Sequence, residues 1–410
     1  MDNGKFYEVA VNERNENYEK LIKRDRQLHA AAFEIRSEFA RDYTRILHSS
    51  AYRRLKHKTQ VFYNIENDHV CTRMEHVSHV ESVCYTIAKY LGLNEELTKA
   101  IATGHDLGHA PFGHYGESVL DERYREFLNT TFWHEKNGLY FVDNIELLLD
   151  HNNVYRNLSL TYAVRDGIIS HCGEKDINKI MPRTEFIDLN DFQISGQYSP
   201  VTYEGCVVKI SDKIAYVGRD IEDAINLGFL TRENIKELSK IVKLEDASAV
   251  NTSSIMSNMI HDICLKSTPE NGICLSDDMS EILNKIKAFN YKYIYGSERF
   301  NAYKKYASLI INELIDTLMA YFDDGDVFSG LEKCAALYPN LANEFRDYLK
   351  KYCEKGVFLQ DENKFTDKFR NKKIYKNISD KKVYARAVLD YVSGMTDRYA
   401  VEMFNHLITY

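Results

Sequence analysis

Apolar residues recur at steps of three and four from Met74 to Leu91, through Val77, Val80, Cys84, Ile87 and Ala88. That is the stripe of an amphipathic helix, and His76 and His79 sit beside it, one turn apart. Asn94 stands before Glu95, Glu96 and the apolar Leu97, Ala100 and Ile101, so it is expected to cap a second helix running into His105 and Asp106. The stretch from Gly108 to Gly116, with Pro111 inside it, breaks that helix. A third helix, over about 203–227, carries Val207, Ile210, Ile214, Val217, Ile221 and Ala224 as its core stripe. Asp212, Tyr216 and Asp220 follow one another at i, i+4 and i+8 on a different face, and a polar line beside a buried stripe suits a cleft wall. Ser, Asn and Asp accumulate over 245–280 with Pro269 and Gly272, which predicts a loop or subdomain boundary. Residues 306–320 and 384–408 read as helices, and 196–201 and 61–67 are the best strand candidates. No internal repeat is seen.

Composition supports this helical picture. Pro numbers 5 and Gly 19 in 410 residues, roughly half the usual share. Hydrophobic residues at 44% and charged residues at 28% exclude a disordered, collagenous or disulfide-miniprotein chain. No apolar run is long enough for a membrane span, and residues 1–10 lack the order of a signal peptide, so a cytoplasmic protein is expected. Eight cysteines without a CxxC pair argue against a zinc ribbon or a disulfide framework. The net charge of -8 disfavours a protein that coats nucleic acid with its whole surface.

Histidine placement changes the picture most. Ten of the 14 histidines lie between His57 and His171, which points to a site there. His105-Asp106-Leu107-Gly108-His109 places three ligand or acid/base groups within five residues at a helix end. Imidazole with carboxylate suits Mn, Fe, Co, Ni or Zn and tolerates Mg. Neighbours on a helix diverge by about 100°, so closing a site needs donors from other helices, and His76 and Asp212 are the obvious ones. The chain contains its own control: His261-Asp262 lies in a polar helix without a glycine, a third histidine or basic neighbours.

A longer pattern surrounds the first dipeptide. It comprises Arg41-Asp42, Arg45-Ile46-Leu47-His48-Ser49, Tyr52 to Phe62, Arg73-Met74-Glu75-His76, Gly104 to His114, Trp133-His134-Glu135, Lys209 to Tyr216 with Arg219-Asp220, and Asp390 to Ala400. Together these motifs resemble the HD-domain phosphohydrolases, and within them the deoxynucleoside triphosphate triphosphohydrolases of the bacterial dGTPase-like family. The resemblance covers about 36–225 and 383–405, in the family's order. It departs at Ala110, where Thr is commoner, and at Tyr115, where a small residue is commoner.

The resemblance implies an all-α fold, an HD-domain helical core with additional C-terminal helices. Residues 1–230 would form the catalytic core with a basic N-terminal segment. Residues 231–410 would form a helical region that packs on the core and mediates oligomerisation or regulation. It implies His76, His105, Asp106 and Asp212 as ligands of a divalent metal ion, and His109, His114, Glu117 and His134 as phosphate-contacting and proton-transferring residues. Either His114 or His134 would protonate the leaving oxygen. Arg73 and Lys213 match phosphate contacts, and Gln60, Tyr216 and Asp220 match positions near the sugar; Arg53 is a further substrate candidate. His57, His69 and His79 are expected in packing or in support of the residues that bind the metal. The implied reaction converts a dNTP, dGTP being the named candidate, to deoxynucleoside and inorganic triphosphate, in a homo-oligomer of hexameric or tetrameric type. The same donor set also serves phosphomonoesterases and cyclic-nucleotide phosphodiesterases, and a degenerate version would be a nucleotide- or single-stranded-DNA-sensing module.

An acidic protein must meet a triphosphate with local cations. Residues 36–73 hold Arg36, Arg41, Arg45, Arg53, Arg54, Lys56, Lys58 and Arg73 against four carboxylates, net +4, and are the expected source. A second basic window, 364–386, mixes nine Lys/Arg with Phe365, Phe369, Tyr375 and Tyr384. It suits a subunit contact, a regulatory nucleotide or single-stranded DNA.

Overall fold

The computed structural model describes residues 4–29, 34–63, 67, 69–172, 178–243, 251–322, 326–354 and 368–409. Among them are 17 α-helices and two two-stranded sheets, the all-α fold expected. Local chemistry sets the helix ends. The Arg73–Leu91 helix begins where the Thr72 N–H donates to the Glu75 carboxylate at 2.7 Å, and it stops at left-handed Gly92. Asn94 Oδ1 accepts from Leu97 N at 2.9 Å to open the Glu95–Gly104 helix. Thr202 Oγ1 accepts from Gly205 N at 3.0 Å to open Tyr203–Asn226.

These three helices pack on one another, Glu95–Gly104 and Tyr203–Asn226 also pack on Tyr162–Ser170, and Glu38–His48 lies against Glu95–Gly104. The buried apolar residues form two clusters. One draws on Phe6 to Phe300 and includes Leu107. The other joins Ala110, Phe112 and the Gly113–Leu128 helix to helices Asn301–Ala320, Pro339–Tyr352, Lys381–Ser393 and Asp397–Ile408. The seam between the clusters therefore runs through the 105–113 break itself.

Three local expectations are corrected. Residues 252–266 form the helix Thr252–Lys266 rather than a loop, capped by Asn251, whose side chain accepts from Ser254 N. Ile255, Met259 and Ile263 are buried against Tyr203–Asn226 at four-residue steps, a stripe hidden by the surrounding Ser and Asn. Pro269 and Gly272 mark only the turn into the short strand Ile273–Cys274; residues 245–250 of that stretch lie outside the described residues. No strand forms over 196–201 or over the described part of 61–67. The strands are Leu147–Leu149 with Tyr155–Asn157, and Lys179–Ile180 with Ile273–Cys274. The helix expected over 384–408 is two helices that meet near Gly394, with Thr396 capping the second through Tyr399 N. Among the described residues no helix is long and apolar enough to cross a membrane.

Candidate active site

The break between Glu95–Gly104 and Gly113–Leu128 builds the site. Gly108 packs so closely on the His134–Tyr140 helix that a Cβ there would fall 2.1 Å from Gly138 N and His134 O; only glycine allows the approach. The contact is fixed by Asn137 Nδ2, which donates to the Gly108 carbonyl at 2.8 Å. Phe112 adopts φ 63°, a left-handed conformation unfavourable for a bulky side chain. Asp397, from the far C-terminal segment, holds it there. One carboxylate oxygen accepts from Phe112 N at 2.8 Å and the other from Thr59 N at 2.9 Å. Lys58 adds a tie, donating to the His109 carbonyl and, at 3.4 Å, to the Ser393 carbonyl.

The four expected ligands converge. His76 Nε2, His105 Nε2 and an Asp212 carboxylate oxygen lie within 4.8 Å of one another. The His76–Asp212 separation is 3.0 Å, and His105 Nε2 lies 3.4 Å from Asp106 Oδ1 and 3.8 Å from Asp212 Oδ1. Two ligands about 2.1 Å from a common ion stand at most about 4 Å apart, so these spacings suit a divalent cation. The decisive atom is His105 Nε2. His105 Nδ1–H donates to the Ala102 carbonyl at 2.6 Å, which leaves Nε2 with its lone pair, buried and without a hydrogen-bond partner. Desolvation makes such a nitrogen costly unless something binds it. The residues therefore fit a metal ion.

Electrostatics separate the groups around this cluster into neutral and charged. Burial alone would raise Asp106, but His105, His109 and Arg73 hold it well below the usual carboxylate range; Arg73 donates to it at 2.8 Å. Burial, with the charges of Arg73 and His134, keeps the His109 imidazole well below its ordinary value despite Asp106. Burial works against protonation of His134 too, yet Glu135 and Glu117 outweigh it and push His134 up to about 10. His134 Nδ1–H donates to Glu117 Oε1 at 3.1 Å, and the same oxygen accepts the His134 backbone N–H at 2.8 Å. The neutral His109 and cationic His134 rings stack at 3.7 Å. His114 is different: its side chain is 73% exposed at the cavity mouth, 3.4 Å from Glu117.

A cavity of about 400 Å³ opens on these groups, within the size range of small-ligand sites. Gln60, Arg73, Tyr216 and Asp220 line it, and Arg73 brings Nε and one terminal nitrogen that are buried without partners. Burial pushes Asp220 up to about 6 against a hydrogen bond from the Tyr295 hydroxyl. Lys213 is buried next to Asp212 but does not line the cavity. Arg53 is exposed, bonded to Ser50 at 3.4 Å, and is not brought to the cavity. Among the described residues, Arg73 alone of the eight basic residues in 36–73 faces it.

Sequence reasoning did not pick out four further residues here. His171 follows the Tyr162–Ser170 helix and repeats the His105 device: Nδ1–H donates to the Ile168 carbonyl at 2.7 Å and Nε2 is buried without a partner. Burial, with the neighbouring His105 and His134 imidazoles, holds it down to about 3. Cys172 places its sulfur 3.7 Å from His134 Nε2 and 3.8 Å from Asp212 Oδ2. Tyr291 and Tyr295 supply an aromatic wall. The histidine density was the only signal for His171, and the tyrosines had none. In the second basic window, residues 364–367 lie outside the described residues. In the described part, Phe369, Tyr375 and Tyr384 are buried, and Arg386 pairs with buried Asp390 at 2.7 Å. These side chains are interior packing rather than a stacking surface.

Comparison with known proteins agrees with this geometry. Residues 73–217 match the HD domain and residues 356–406 the phosphohydrolase-associated domain. A deoxyguanosinetriphosphate triphosphohydrolase-like protein of Desulfatibacillum aliphaticivorans is 38% identical over 292 residues, 70% of this chain and 75% of its own. A protein of the same description from Caldanaerobacter subterraneus subsp. tengcongensis is 32% identical over 91% of this chain and 86% of its own. One from Rickettsia conorii is 30% identical over 91% of each.

Proposed function

Because the chain belongs to the HD-domain family of deoxyguanosinetriphosphate triphosphohydrolase-like proteins, we propose that it hydrolyses a deoxynucleoside triphosphate, dGTP being the first candidate, to deoxynucleoside and inorganic triphosphate with a divalent metal ion. The observation that carries this reading is the unpartnered, buried His105 Nε2 facing His76, Asp106 and Asp212. These four side chains would hold Mn, Mg, Co, Fe, Ni or Zn. When bound, such an ion lowers the pKa of an attacking water and neutralises phosphate charge.

The chain's own groups do the rest. Arg73, already committed to Asp106 through one nitrogen, turns its remaining N–H groups to the phosphates, with Lys213 as a second cation of this region. Water oxygen bonds to the α-phosphorus, the bond from phosphorus to the 5′-oxygen breaks, and that oxygen takes a proton. His134 is the better donor, since it is cationic at neutral pH and oriented by Glu117. His109, neutral and stacked on it, accepts or relays a proton, and exposed His114 closes on the phosphates at the mouth. The Tyr216 ring packed against C2′ disfavours a ribose hydroxyl, with Gln60 and Asp220 on the sugar.

The test is a panel of four dNTPs and GTP with Mg, Mn or Co, reading triphosphate release. Release from a dNTP, absent with GTP and abolished by a chelator, is expected. Hydrolysis that persists in chelator overturns the metal-dependent reading.

A further inference from the structure

The basic residues assigned by sequence to the catalytic cavity divide between two places. Arg36, Arg41 and Arg45 line a second cavity of about 170 Å³ together with Arg26 and Arg156. It lies where the Glu38–His48 helix meets the hairpin of Leu147–Leu149 and Tyr155–Asn157, and it shares no lining residue with the catalytic cavity.

Five guanidinium groups meet there with too few carboxylates. Arg36 pairs with Glu34 at 2.8 Å, Arg41 with Glu38 at 3.0 Å and Arg156 with Asp150 at 2.7 Å. Glu38 is itself shared with Arg24 at 2.8 Å. Among the described residues neither Arg26 nor Arg45 pairs with a carboxylate. Arg45 is anchored instead by the backbone: its Nε donates to the Leu158 carbonyl at 2.6 Å and a terminal nitrogen to the Asn157 carbonyl at 3.4 Å. Burial, offset in part by Asp42 and reinforced by Arg24, Arg26 and Arg41, holds the Arg45 guanidinium down to about 10. Burial and the charge of Arg156 lower Arg26 as well. Crowded like charges that are partly desolvated and pinned in place cost stability unless an anion joins them.

The lining also states which anion. Among the described residues Asp150 is the one carboxylate residue on the wall, which disfavours a cation. Planar guanidinium forks match phosphate oxygens two at a time. The volume falls below the ~300 Å³ at which pockets for drug-sized ligands begin, so a phosphate chain fits where a whole nucleotide does not. At the edge the His29 and His151 rings stack at 4.0 Å, adding donors to the rim.

We propose that this cavity is a second, non-catalytic anion site that takes a phosphate chain, either free inorganic triphosphate or the polyphosphate tail of a nucleotide whose base stays outside. It rests on no residue of the catalytic cavity, so it stands or falls independently of the proposed reaction.

The experiment is calorimetric titration of sodium tripolyphosphate into full-length protein carrying Arg73→Gln, which removes the phosphate contact proposed for the catalytic cavity. Arg156→Gln and Arg45→Gln are then added to that background separately. Binding that weakens about tenfold or more in Arg156→Gln is expected, as for loss of a charge-assisted contact. Because the Arg156 side chain is 33% exposed, its replacement leaves folding intact, and circular dichroism checks this for both variants. Competition of dATP with tripolyphosphate would assign the nucleotide tail as ligand, and lack of competition the free chain. Absence of tripolyphosphate binding, or affinity unchanged in Arg156→Gln, overturns the proposal.

Discussion

The chain contains two His-Asp dipeptides in helical surroundings, and only one of them is built into a site. His105 closes the Glu95–Gly104 helix and Asp106 enters the break, so both side chains are buried at the seam of the two apolar clusters. His261 and Asp262 lie inside the Thr252–Lys266 helix. There His261 is exposed, and Asp262 accepts the Ser276 N–H at 2.6 Å at the start of the next helix. The residue pair is the same, and the difference is burial beside a second layer of donors. A helix end aims consecutive side chains into the interior, whereas a helix middle sends at least one to solvent.

The largest effect that would sharpen this contrast is removal of the buried pair. Asp106→Ala is expected to cost about 10³-fold in kcat, the scale of losing a principal electrostatic group, with the helical circular dichroism spectrum retained. His134→Gln should cost about 10²-fold in kcat with a smaller change in KM. Its pH profile tests the assignment further. A histidine raised to about 10 is protonated below that pH and loses its proton as pH rises through it. Wild type should therefore show a falling limb near pH 10 that His134→Gln lacks, and an identical limb in the variant would remove His134 from the acid role.

Asp397→Asn should come next, at about tenfold in kcat, because an amide presents its NH₂ to one of the two N–H groups the carboxylate now accepts. Misplacement of a turn by a fraction of an ångström is enough for such a loss. A fall in KM alone, with kcat unchanged, would contradict the positioning role. The smallest effect is expected at the control dipeptide. Asp262→Ala should leave kcat and KM unchanged and cost about 1 kcal/mol of stability by denaturant titration, the scale of one hydrogen bond. A loss of activity there would break the comparison.

The same contrast explains what could be read from sequence. The Arg73–Leu91, Glu95–Gly104 and Tyr203–Asn226 helices were legible because their stripes and caps are local. The grouping of His76, His105, Asp106 and Asp212 was anticipated from the resemblance of their motifs to the HD-domain phosphohydrolases, while the stripes placed only the helices that carry them. The Thr252–Lys266 helix was not, since Ser and Asn at its exposed positions imitate a loop. Tyr295 reaches Asp220 from 75 residues away, and no local pattern announces that closure. Charge counting failed in an informative way: it found the arginines of 36–73 but not their direction, and Arg45 points to a different cavity from Arg73.

The most direct measurement is hydrolysis of dGTP in ¹⁸O-water followed by mass analysis of both products. The account predicts unlabelled deoxyguanosine and triphosphate carrying one ¹⁸O, the signature of water attack at the α-phosphorus. Formation of dGMP with pyrophosphate, or ¹⁸O in the deoxyguanosine, would contradict it.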